Sequence, residues 1–387
     1  MQLALLAALL AGSHALAPVI QTRRKTVLHS DMIKGSVVGE DGITAEVAPQ
    51  DDDLADPPQT MAQCLQQAQD ATVAAIEDGQ ILMDVEFPPL AADLMDDPNT
   101  SAGEISASRR VEAPSTRVVS RNEMLRAGDM AGANTRLAIK YAQGIHTRTG
   151  KKVAILYPDV PELERAVEQS GSNNPQPGVS LHSLRASIAE AETPQQAFFA
   201  LFGKGKEMVR EVPDADVYVG LTFSAQELPD VEELDTREAS KKPIILFNLK
   251  LDTQRGDLGL PAFPPKDLQW RFLSRAKAVY FLRTRQYTLS LPEPPFVVNY
   301  QGAIFRQYPG PFQCLLDTGK AFRPVSTSAR RPALGEFKET ITMALKIGAK
   351  SPSNEGKNRK FFRTGVKAIT WWEEDKEGLE EHTEWRE

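Results

Sequence analysis

Acids and bases crowd one segment of this chain: "LDTQRGDLGLPAFPPKD", Leu251–Asp267, holds three carboxylates, Arg255, Lys266, three prolines and two glycines directly after an apolar run. Asp252 and Asp257 are of the type that holds a divalent cation or moves a proton, and Arg255, Lys266 and Arg271 of the type that clamps phosphate or carboxylate. With Asn248 they fall beyond the carboxyl end of an expected parallel strand, where open α/β sheets bind ligands. The same residues also suit a brace. Asp252 and Arg255 are spaced to pair locally, Gly256 and Gly259 fit tight turns, and Pro261, Pro264 and Pro265 stiffen the loop. No nucleophile or dedicated base accompanies the cluster, so residue chemistry favours the brace over catalysis. Asn248, Asp252, Arg255, Asp257, Lys266 and Arg271 therefore stand as candidates for ligand or partner binding, with no catalytic residue, metal ligand or cofactor assigned.

Other signatures are missing. There is no Walker A loop, no Gly-x-Gly-x-x-Gly, no His-Glu-x-x-His and no Gly-x-Ser-x-Gly. "GKGKE" near Gly203 lacks phosphate-loop spacing and reads as a joint between helices. His146 and His182 have no partner at metal-ligand spacing and read as structural or exposed. A second polar cluster, Asn299, Tyr300, Arg306 and Tyr308, alternates as a strand pair does. The net charge of −7 and pI near 5.5 argue against a nucleic-acid reader. Cys64 and Cys314, the only cysteines, are too few for a disulfide framework and read as plain thiols.

The elements that must position these residues follow from periodicity. "MAQCLQQAQDATVAAIEDG" has helical spacing and "ILMDVEFPPL" supplies a strand, Ile81–Phe87, halted by Pro88 and Pro89. Ala91 to Ser120 is polar and aperiodic, a surface insertion or loop, and Arg121 to Thr147 is helical. "KVAILYPD" is a buried strand with Asp159 placed to cap the next helix; "GVSLHSL", "ADVYVGLTF" and "KPIILFNLKL" are further strands. "TPQQAFFALFG" and "GKGKEMVREV" are helical, and "QELPDVEELDTREAS" is a helical or turn segment. Strands alternating with helices imply crossovers and a parallel sheet, while the apolar, turn-separated segments after Ala276 imply antiparallel strands. The expected fold is α/β, a three-layer, mixed, mostly parallel sheet with helices on both faces and antiparallel strands in the C-terminal third. "LGEFKETITMALKIG" closes the domain as a helix.

Residues 61–348 thus form a single domain with a polar insertion at 91–120. An acidic linker spans 31–60, and a charged tail, 349–387, carries Trp371, Trp372 and Trp385. That tail either docks on a partner or membrane through its basic and aromatic pieces or folds back on its own domain. No segment is apolar over a membrane-spanning length. The first thirty residues form an address: a short apolar run, "SHALAP", then an acid-free stretch with Arg23, Arg24 and Lys25. This resembles the bipartite plastid address of algae with red-derived secondary plastids, with Leu16 in place of the usual phenylalanine.

"DVEFPPL", "NTRLAIKYAQ", "ILFNLKLDTQRGDLGLPAFPPKDLQWRFLSRAKAVYFLR" and "PFVVNYQGAIFRQYPGPFQ" together resemble a domain of unknown function shared by cyanobacteria and plastids. That domain occurs in the low photosystem II accumulation assembly factor and fused to a chloroplast adenylate kinase. The resemblance implies a plastid protein, stromal or peripheral on the thylakoid, that works as a non-catalytic assembly or interaction factor with photosystem II subunits or assembly factors as partners. It carries over no catalytic residue. The rival reading is a phosphate-ligand or nucleotide-binding domain, possibly enzymatic, built on Asp252, Arg255, Asp257, Lys266 and Arg271. Convergence of these groups on an open pocket favours it; consumption of Arg255 and Arg271 in internal ion pairs favours the interaction factor. Peripheral thylakoid contact through Lys357, Arg359, Lys360, Phe361 and Phe362 is a third expectation.

Overall fold

Thr60 starts the first helix of the domain: its side chain accepts a hydrogen bond from the Gln63 amide, the arrangement that satisfies an otherwise orphaned helix N–H. The computed structural model describes residues 35–38, 44–47, 54–107, 121–185, 209–237, 241–251, 267–290, 296–345 and 379–387. In chain order these hold β1 (Gly35–Val38), β2 (Thr44–Val47), α1 (Met61–Glu77), β3 (Leu82–Glu86), α2 (Ala92–Asp96), α3 (Ala102–Ala107) and α4 (Arg121–Thr149). There follow β4 (Val153–Tyr157), α5 (Val160–Ser170), β5 (Val179–Ser183), β6 (Val217–Leu221), α6 (Leu228–Arg237), β7 (Ile244–Phe247) and α7 (Asp267–Arg271). The last part comprises β8 (Lys277–Ser290), β9 (Val297–Gln307), β10 (Phe312–Asp317), β11 (Phe322–Ser328) and α8 (Leu334–Ala344).

Nine strands make one sheet in the order β11-β10-β9-β8-β3-β7-β6-β4-β5. From β5 to β8 every pairing is parallel, with Met83 aligned to Ile245 on one side and to Lys277 on the other. From β8 to β11 every pairing is antiparallel. β3, β4, β6 and β7 are buried along their whole length; β4, β6 and β7 accordingly read as apolar runs, while β3 carries two acids, Asp84 and Glu86. The mixed, mostly parallel α/β architecture expected from the sequence is thus the one observed.

Strand alternation sends side chains to two cores. On one face Met83, Val85, Ile155, Tyr157, Val219 and Phe247 meet α1, α4 and α5. On the other, Leu82, Leu156, Tyr218 and Leu246 meet Leu228, Val231 and Leu234 of α6 and Leu268 and Phe272 around α7. Farther along that second face Phe281, Ile304 and Phe312 lie under Phe337 and Ile341 of α8. Cys64 belongs to the first face and Cys314 to the second, so the sheet separates the two buried thiols. Burial pushes Cys64 up to about 12 and Cys314 up to about 11, which keeps both protonated and unreactive.

The structure differs from the sequence reading in three places. Residues 91–107 are not a peripheral loop: they contain α2 and α3, bury Met95, Ala102 and Ile105, and bind the start of α1 through the Thr100 carbonyl, which accepts from the Met61 amide at 3.0 Å. Their polar composition hid them because each helix contributes only one or two apolar anchors. Residues 108–120 lie outside the described residues. Within the stretch read as an acidic linker, β1 and β2 pair antiparallel, and the Ala55 carbonyl accepts from Gln313 Nε2 at 2.8 Å. The end of "GKGKEMVREV" is extended rather than helical, since the Arg210 amide donates to the Leu184 carbonyl and Val209 and Val212 are buried; Gly203–Met208 and "TPQQAFFALFG" lie outside the described residues. Of the two readings of the tail, residues 379–387 follow the second: they fold back onto the domain with Trp385 at 2% exposure. Trp371, Trp372 and residues 357–362 lie outside the described residues, as does the targeting segment.

Candidate functional site

Two acids on one strand set up the most unusual chemistry in the fold. Asp84 and Glu86 are two apart on β3, so both point to the same face, and both are buried at 3% and 1% exposure. Glu86 is held bidentately by the Arg283 guanidinium of β8, and that pair is almost wholly out of solvent. Arg331, from the loop between β11 and α8, lies 4.2 Å from the centre of the Phe281 ring and Arg283 lies 4.8 Å from it, so one aromatic ring meets two guanidiniums. In the next column Arg306 of β9, level with Phe281, stacks on Phe312 at 4.7 Å.

The electrostatics of this centre follow from burial. Asp84 is pushed up to about 7, chiefly by loss of solvent and next by the Glu86 charge, with Arg331 and Arg283 pulling the other way. Its Oδ1 is buried and accepts no hydrogen bond among the described residues. Burial draws Arg331 down to about 10, with Arg283 adding repulsion. Burial likewise draws Arg306 down to about 10. The cluster sets two acids against three arginines at the junction between the parallel and antiparallel halves of the sheet. Its acids were visible as "DVE" inside an apolar strand; a pair of acids at i and i+2 in a fully buried strand demands basic partners, and that signal was available.

The residues singled out by sequence fare differently. Asp252, Arg255, Asp257 and Lys266 lie outside the described residues. Asn248 sits at the carboxyl end of β7 with φ of 55°, its amide bonded to the Val85 carbonyl at 2.7 Å and its Nδ2 donating to Asn134 Oδ1 of α4 at 2.8 Å. Arg271 is engaged elsewhere: its Nε and Nη2 bind Glu232 Oε1 and Oε2 at 2.7 and 2.9 Å, and its Nη1 binds Asp267. Asn248 faces α4 on one side of the sheet and Arg271 faces α6 on the other, so the structure does not bring them together.

Arg271 is one member of a set. α6 also pairs Asp230 with Arg185 at 2.6 Å and Asp235 with Arg275 at 2.7 Å. Three arginines from neighbouring segments thereby fasten one helix to the sheet. His146 Nδ1 lies 2.9 Å from the Lys151 carbonyl and His182 Nε2 2.9 Å from Ser180 Oγ, local contacts that agree with structural roles. Tyr300 bonds Thr342 of α8 at 2.8 Å, and Tyr308 donates to Asp78 at 2.8 Å. Among the described residues no three His, Cys, Asp or Glu side chains gather as a metal site, and no helix is long and apolar enough to cross a membrane.

A nine-stranded mixed α/β domain with a buried ionic centre and arginine-fastened helices is the class of protein defined here. The chain belongs to a family described as a domain of unknown function, DUF1995, whose model matches residues 58–339. No curated protein matches it.

Proposed function

We propose that this protein is a non-catalytic plastid assembly or interaction factor that serves photosystem II biogenesis. The observation that carries the preference for binding over ligand chemistry is the fate of Arg271, whose guanidinium is committed to Glu232 and Asp267 and is therefore poorly placed to clamp a phosphate. The Glu86–Arg283 pair is committed in the same way. The resemblance of the sequence blocks to the plastid and cyanobacterial domain, and of the N-terminal segment to a bipartite plastid address, supports the compartment and pathway of this reading. Thylakoid contact, where it occurs, is peripheral.

Affinity recovery of the tagged protein from isolated plastids tests this reading. Photosystem II subunits or assembly factors are expected among the recovered proteins, together with reduced photosystem II accumulation when the protein is depleted. Recovery of none of them, with normal photosystem II in depleted cells, overturns it. One observation favours the small-ligand reading: Asn248 Oδ1, at the carboxyl end of β7, is buried without a hydrogen-bond partner among the described residues. Saturable binding of ATP or inorganic phosphate in calorimetry, lost in Asn248→Ala, would establish it.

A further inference from the structure

The C-terminal residues 379–387, "LEEHTEWRE", lie beyond the family-matched segment, yet they sit on the domain as a bound peptide sits on a receptor. One side chain is the anchor. Trp385 inserts into the second-face core beside Phe272, Leu273 and Ala276 and keeps 2% of its surface exposed, the mark of a binding hot spot. The main chain is held on three sides: the Glu381 amide donates to the Trp270 carbonyl at 3.0 Å, the Arg331 amide donates to the Arg386 carbonyl at 2.8 Å, and Arg306 Nη1 donates to the Glu387 carbonyl. Backbone bonds around a pocketed side chain are the ordinary grammar of peptide recognition.

Charge agrees. The segment carries four glutamates against one arginine, and that arginine is spent internally, Arg386 holding Glu380 bidentately at 2.7 and 2.9 Å. Basic side chains border the segment: Arg306 Nη1 donates to the Glu387 carbonyl, and Lys277 lies within the field of Glu387 and Glu384. An acidic segment, with its tryptophan in a short 3-10 turn at Glu384–Arg386, thus lies on the domain over an apolar socket, and Arg306 and Arg331 tie that site to the ionic centre below.

We propose that this groove is a docking site for acidic, tryptophan-bearing peptide segments of partner proteins, and that residues 379–387 occupy it in cis as a displaceable competitor. The groove stands independently of the photosystem II reading: peptide exchange tests the one and recovery from plastids the other. Full-length wild type and full-length Trp385→Ala are titrated with a labelled peptide of sequence LEEHTEWRE. The Trp385→Ala chain is expected to bind it at least about tenfold more tightly than wild type does. Binding should weaken as salt rises and vanish for a peptide whose tryptophan is alanine. A folded Trp385→Ala chain that binds neither peptide, or wild type and variant binding alike, overturns the proposal. Should Trp385→Ala fail to fold, wild type with a protease site introduced within residues 346–378 is cut after folding. Exchange of the nicked segment for labelled peptide then supports the groove, and a segment that cannot be exchanged from the folded body overturns it.

Discussion

Asp84 and Glu86 share a strand and a face but not a fate. Glu86 has a guanidinium on both oxygens, whereas Asp84 sits beside that charge with one oxygen unbonded among the described residues. Raised from 3.8 to about 7, the Asp84 carboxyl binds its proton more tightly folded than unfolded. Its contribution to stability is therefore greatest below pH 4, falls as pH rises toward 7 and is flat beyond. Thermal melts of wild type and Asp84→Asn across this range should show the wild-type midpoint declining relative to the variant between pH 4 and pH 7. An unchanged difference would remove Asp84 from the balance. Breaking the neighbouring pair from one side, Glu86→Ala or Arg283→Ala, should cost about 3–5 kcal/mol in urea unfolding, because either leaves a buried charge alone. Glu86→Leu combined with Arg283→Met should cost less than either. At this scale the sequence was only half legible: "DVE" displayed the acids, but Arg283, Arg306 and Arg331 are ordinary surface-type residues until the fold brings them inward.

Elements are fixed by contacts of a shorter reach, and more of them could be read. Period-two and period-3.6 patterns located β3 to β7 and the helices from Met61, Arg121, Val160 and Leu334, and showed the segments of β8 to β10 as antiparallel without bounding them. Asp159 caps α5 as its position suggested, accepting from the Glu162 amide at 2.9 Å. The short helices α2 and α3 escaped notice because two turns carry too little periodicity to stand out, and tertiary anchoring of Met95 and Ile105 is what keeps them folded. Two glycines show how close the packing is. A Cβ at Gly302 of β9 would lie 2.3 Å from the Leu315 carbonyl oxygen, a backbone atom with nowhere to move, and 2.3 Å from Ile341 of α8. Gly302→Ala should therefore lose about 1–3 kcal/mol in chemical denaturation. At Gly144 of α4 the obstacle is the Gln69 side chain of α1, a group that can rotate, so Gly144→Ala should cost less. Removing the α1 cap by Thr60→Ala should cost about 1 kcal/mol in the same assay.

For the molecule as a whole, fold class could be read and strand order could not. Alternating strands and helices imply a parallel sheet, but nothing local announces that β3 pairs with β7 and β8, or that the last nine residues return to cover Arg306 and Arg331. The position of β3 has a consequence for how the chain is made. The earliest described strand of the sheet is also its central one, so the register Leu82–Ile244 and Met83–Lys277 closes only when segments far downstream have been delivered. A nascent chain halted at residue 270 leaves β3 with an unsatisfied edge and Glu86 without Arg283. Such chains should stay sensitive to protease while the finished chain resists it.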